Sequence, residues 1–129
     1  MSKLDKESII GIAALLVHAA KIDENYSDHE KKLIKEFIKS YMEEENADEI
    51  LKKAEEMEKN SNQLLNYTNI IKKNSMLIKT DIVKHLWKVI ISDNTVDQYE
   101  SNLIRRICGL IYFPDKECAE IKLKLLNES

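Results

Sequence analysis

The chain has 129 residues, 43% hydrophobic and 33% charged, with only 2 Gly, 1 Pro and a formal net charge of −3. So little glycine and proline excludes an all-β sandwich or barrel, whose hairpins and corners need them, and the apolar fraction is too high for a disordered chain. Basic and acidic side chains number 20 and 23, leaving no basic excess for phosphates, so no nucleic-acid partner is expected.

The first predicted helix runs from about Asp5 to Ile22. Ile9, Ile10, Ile12, Ala13, Leu16, Val17 and Ala20 cover more than one of its faces, the mark of a central, buried helix. Asp5 and Glu7 break the positive flank that a secretory signal needs, and no apolar run reaches the roughly 18 residues that span a bilayer. A cytoplasmic chain without direct membrane insertion is therefore expected. A second helix, about Asp28 to Met42, carries Leu33, Ile34, Phe37, Ile38 and Tyr41 on one face, with lysines opposite.

A charged third helix follows, about Ala47 to Lys59, with the stripe Ile50, Leu51, Ala54 and Met57. Asn60-Ser61-Asn62 breaks the chain before a fourth helix, about Gln63 to Lys73, and Asn74-Ser75 punctuates weakly before a fifth, about Met76 to Ile91. The sixth spans about Gln98 to Ile111, and the seventh starts at Pro114 and ends near Leu126. Seven helices on short links predict an all-α fold, one compact domain over residues 1–129.

Slid by 70 residues, the chain overlays itself: Ile12 meets Ile82, Leu16 meets Leu86, Asp23 meets Asp93, Glu30 meets Glu100, and Leu33-Ile34 meets Leu103-Ile104. Each copy reads as an apolar helix, an acidic turn and an amphipathic helix. Two copies are too few for a solenoid, so two pseudo-twofold-related helical hairpins are expected, with the first and fifth helices side by side.

The segments Ala20-Lys21-Ile22-Asp23 through Glu30-Lys31-Lys32-Leu33-Ile34, and Leu86-Trp87 through Asp93, Asp97, Glu100 and Leu103-Ile104, carry a resemblance. The chain resembles the TerB-like family, named for tellurite-resistance proteins and including the N-terminal domain of the membrane-anchored DjlA co-chaperones. It looks closest to short, single-domain bacterial members of unassigned function. Glu24 and Asn94 stand where that family has glycine after the aspartate. The resemblance implies an all-helical fold and an association with metal binding at the acidic residues.

The residues themselves leave two readings of the acidic turns open. Ser27-x-x-Glu30 and Asp97-x-x-Glu100 are both capping boxes, in which the cap accepts from the N3 amide and the glutamate reaches back, worth about 1 kcal/mol each. Asp23 and Asp93 each follow a long helix near its C-terminal end, where the helix dipole disfavours an anion. A compensating partner is then either an Asx turn onto the next amides or a divalent cation, with hard oxygen ligands suiting calcium or magnesium. The candidate metal ligands are Asp23, Glu30, Asp93 and Glu100, with Asp97 and Ser27 as further oxygen donors. A standard EF-hand is excluded: its sixth and twelfth loop positions hold Asp28 and Ile34 in the first copy, Gln98 and Ile104 in the second.

No catalytic motif is present. His29-Glu30 begins like HExxH, but Leu33 stands where the second histidine belongs, and His18 and His85 have no glutamate three residues earlier. Cys108 lies in an apolar stripe, and Cys118 follows ten residues later. Neither thiol has an activating neighbour in sequence; both read as reduced, although a disulfide is within reach of that spacing. Trp87 reads as core, while Tyr41, Tyr67 and Tyr99 belong to the core edge or to an interface. The expectation is a non-enzymatic TerB-like module that binds a divalent cation at paired acidic turns and contacts a protein partner. The alternative is a metal-free interaction or oligomerisation module, a homo-oligomer included, whose acidic turns only cap helices. A third reading, thiol-based hydrolase or redox chemistry at Cys108 or Cys118, needs a neighbourhood that sequence spacing does not supply.

Overall fold

A computed structural model describes residues 6–21, 26–41, 47–60, 65–91 and 98–128. They form α1 (Lys6–Lys21), α2 (Asp28–Tyr41), α3 (Ala47–Asn60), α4 (Leu65–Lys72), α5 (Met76–Ile91), α6 (Gln98–Leu110) and α7 (Asp115–Glu128), and no strand occurs among the described residues. The fold is the expected all-α bundle, and the predicted boundaries hold to within two residues.

α1, which reads as apolar on more than one face, and its repeat partner α5 are the centre of the bundle. α1 packs against α2, α3, α4 and α5, and α5 packs against α1, α2, α6 and α7. Ile12, Leu16, Ile82 and Leu86, the pairs related by the 70-residue slide, are fully buried. Each such side chain contributes about 1.5–3 kcal/mol on leaving water. Gly11 disfavours a helix interior, yet a Cβ at that place would meet Ile70 Cδ1 of α4 at 2.5 Å, so the missing side chain makes room for the tip of Ile70.

The hairpins α1–α2 and α5–α6 are both present, and α1 lies against α5 as expected. The starts of α1 and α5, and of α2 and α6, are each 70 residues apart. The structure adds a third helix to each copy. α3 packs on α1 and α2 as α7 packs on α5 and α6, both third helices have 14 residues, and their starts are 68 residues apart. α4 is the connector between the copies. The third helices differ in their inner seams: Ala47, Ile50, Leu51 and Ala54 of α3 are buried, and the same register on α7 brings Asp115, Cys118, Ala119 and Lys122. Of these four only Cys118 is buried.

The links are closed by local chemistry. Asn74 caps α4 through its backbone N–H to Ile71 O at 2.9 Å and its side chain to Ile70 O at 2.9 Å. Ser75 Oγ accepts from Ile78 N at 3.3 Å and so starts α5. After α6, Phe113 N donates to Cys108 O at 2.8 Å and Tyr112 N to Gly109 O at 3.4 Å, a Schellman motif. Its left-handed position is held by Tyr112 at φ 60°, a residue with a Cβ where glycine is usual.

Candidate functional site

The first acidic turn is built at the N-terminus of α2. Glu30 Oε1 accepts from Ser27 N at 2.9 Å and from Ser27 Oγ at 3.1 Å, and Ser27 Oγ accepts from Glu30 N at 3.3 Å. Both directions of the capping box are therefore made, and Lys31 N closes the first helical bond onto Ser27 O at 3.0 Å. Glu30 is only 5% exposed, so its carboxylate is held by donors inside the protein instead of by bulk water.

Around that turn, long-range polar contacts tie α1 and the α2 N-terminus to α3. Tyr26 Oη donates to Glu55 Oε2 at 2.8 Å, and the same carboxylate oxygen lies 4.0 Å from Lys31 Nζ. Burial, then the bond to Glu55, push the Tyr26 phenol well above its ordinary range. Lys31 and Lys21 stand 5.0 and 5.8 Å from the Tyr26 ring centre. Lys21 Nζ also reaches Glu58 Oε1 at 2.9 Å, and His18 Nδ1 lies 3.3 Å from Glu58 Oε2. Burial alone would raise the Glu58 carboxyl, but Lys21 and His18 together outweigh it and hold it below its ordinary value.

A second polar cluster joins α2 to α5. Tyr41 Oη donates to Asp81 Oδ2 at 2.6 Å, and His85 Nδ1 lies 2.9 Å from Asp81 O and 3.5 Å from its Oδ1. Phe37 packs on the rings of Tyr41 and His85, each with centres 5.0 Å away. His85, then Tyr41, depress the Asp81 carboxyl, against burial.

Of the predicted cation ligands, Glu30 and Ser27 are brought together and bond to each other. Asp23, Asp93 and Asp97 lie outside the described residues, and Glu100 falls in the first turn of α6 with its side chain outside them. Among the described residues no group of three or more His, Cys, Asp or Glu side chains is placed to hold a metal ion. The tyrosines separate: Tyr67 is core, Tyr41 is a half-buried edge residue bonded to Asp81, and the Tyr99 side chain lies outside the described residues. Sequence spacing could not reach Tyr26–Glu55, His18–Glu58 or Tyr41–Asp81, whose partners are 29, 40 and 40 residues apart.

A cavity of about 250 Å³ opens between α5, α6 and α7, lined by Trp87, Arg105, Asp115, Cys118, Ala119 and Lys122. It lies where the α7 seam carries short or polar side chains in place of the apolar ones on α3. No helix among the described residues is long and apolar enough to cross a membrane.

Comparison with curated proteins and with solved structures finds no match to either. A family model described as "Tellurite resistance protein TerB" matches residues 10–123, from the first turns of α1 into α7. With the doubled hairpin and its capped acidic turn inside that match, the chain belongs to the TerB tellurite-resistance protein family.

Proposed function

We propose that this chain is a non-catalytic helical module that acts through contact with a protein partner, its first acidic turn serving to fix the α1–α2 corner. The reciprocal Ser27–Glu30 box carries the reading, because it gives the Glu30 carboxylate a complete structural task without a ligand. The surface of α7 supports the contact: Leu123 and Leu126 are 59% and 39% exposed on a helix that faces the core with Cys118, Ile121 and Leu125. Calcium or magnesium titrated into the metal-stripped full chain is expected to give no heat beyond dilution and no shift in melting temperature. Light scattering tests the partner: a mass above one chain that falls to one chain in the Leu123→Lys, Leu126→Lys variant assigns a second copy, and a mass of one chain overturns a second copy as the partner.

A second reading is favoured by the burial of Glu30. A carboxylate that is 5% exposed and already aimed by Ser27 is a prepared oxygen ligand beside the segment that holds Asp23. In that reading Asp23 and Glu30, with Asp93 and Glu100 in the second copy and Asp97 and Ser27 as further donors, hold calcium or magnesium. Saturable heat and a raised melting temperature, both lost in the Asp23→Asn, Asp93→Asn variant, would decide for it.

A further inference from the structure

We propose that Cys108 and Cys118 are a reversible oxidation site, at which a small hydroperoxide entering the α5–α6–α7 cavity converts the two thiols into an intramolecular disulfide. The inference does not rest on the cation or the partner reading above. Four observations carry it. First, Cys108 Sγ lies 3.2 Å from Cys118 Sγ, both in the free thiol state, so the sulfurs need to close by little more than an ångström to bond. Second, the thiols are unequal in access: Cys118 lines the cavity and Cys108 lies behind it in the core. Third, the cavity wall favours an anionic sulfur at Cys118. The Cys108 S–H points at it, Trp87 and Lys122 assist, and these outweigh burial and the opposing Asp115; the same contact holds Cys108 in its protonated form. Fourth, Trp87 Nε1 is buried and makes no fully formed hydrogen bond among the described residues, while Lys122 Nζ stands 5.3 Å from the Trp87 ring centre. A buried indole N–H and a cation beside a recessed sulfur suit a small polar oxidant, or the oxygen it leaves on sulfur. Cys118 is only 4% exposed, which favours a hydroperoxide over a bulky disulfide as the oxidant.

The chemistry balances in two steps. The Cys118 thiolate attacks the terminal oxygen of the hydroperoxide: an S–O bond forms, the O–O bond breaks, and the alkoxide or hydroxide leaves and takes up a proton. Cys118 is then a sulfenic acid, oxidised by two electrons, and the peroxide is reduced by two. Cys108 sulfur next attacks Cys118 sulfur: the S–S bond forms, the S–O bond breaks, and water leaves with the Cys108 proton. An external dithiol restores both thiols by exchange.

The test uses the full chain, which has 2 cysteines in all, treated with hydrogen peroxide under native conditions. Intact-mass spectrometry is expected to show a loss of two hydrogen atoms. Tryptic mapping, with cleavage after Lys116, is expected to link the peptides that contain Cys108 and Cys118, and dithiothreitol is expected to reverse both changes. The Cys108→Ser variant should trap a dimedone-reactive sulfenic acid at Cys118, and Cys118→Ser should leave Cys108 unmodified. Two free thiols after peroxide treatment of the native protein would overturn the proposal, as would linkage only between chains or sulfinic acid at Cys118 with Cys108 free. Equal oxidation of Cys108 in Cys118→Ser would overturn the assignment of the attacking thiol.

Discussion

Tyr112 sits at φ 60° because the α6–α7 corner requires a left-handed residue, and its side chain is exposed with the ring 5.3 Å from Lys72 Nζ. The backbone penalty for a residue with a Cβ in this region is about 1 kcal/mol, while an exposed cation–π contact returns at most about 0.5–1 kcal/mol. Tyr112→Gly removes both and also loosens the unfolded chain, so its net effect should be small, within about 1 kcal/mol by urea titration. By contrast, Ser27→Ala deletes a cap: the buried Glu30 carboxylate loses the hydroxyl donor while keeping the backbone N–H of residue 27, the Glu30 amide loses its acceptor, and a loss of about 1–2 kcal/mol is expected from the same measurement. Ser27 and Glu30 were legible in the sequence because a capping box is a three-residue spacing. Tyr112 was not, because the left-handed position is normally signalled by glycine or asparagine and here only the two hydrogen bonds reveal it. The thiol pair was legible as a separation, but Trp87 and Arg105, which share the cavity with Cys118, come from two other helices.

At the level of elements, the 70-residue slide exposed the hairpins because the starts of α1 and α5, and of α2 and α6, keep that offset. The third helix of each copy stayed hidden. α6 is one residue shorter than α2 and the following link is shorter too, so α3 and α7 fall out of register with the slide at an offset of 68. Their seams have also diverged in chemistry. α3 is held by Ile50, Leu51 and Ala54, and α7 presents Cys118, Ala119 and Lys122 beside the cavity. Fewer buried apolar contacts mean cheaper local opening, so α7 amides are expected to exchange with deuterium well before those of α1 and α3. Comparable protection of α3 and α7 in a native-state exchange experiment would contradict this account.

For the whole molecule, acid is the expected weakness. Asp81 and Glu58 both have carboxyl groups held below their ordinary values in the folded state, the first chiefly by His85, the second by Lys21 and His18 against burial. A depressed folded value means that their stabilisation is present above the unfolded carboxylate range, about pH 4, and is lost as pH falls through the lower folded values. The Asp81→Asn, Glu58→Gln variant should therefore be less stable at neutral pH and lose stability less steeply between about pH 4 and 2, followed by circular dichroism. Class and helix order followed from the scarcity of glycine and proline, apolar periodicity and local punctuation, whereas these carboxylate contacts depend on which helices become neighbours.

The position of α1 has a consequence for synthesis. Its apolar surface is covered by α2, α3 and α4, which follow within the next 51 residues of chain after Lys21, but its flank toward α5 waits for residues up to Ile91. Until α5 is available, α1 packed by α2, α3 and α4 leaves that flank open to water, so a fragment ending at Lys72 is expected to aggregate more readily than the whole chain.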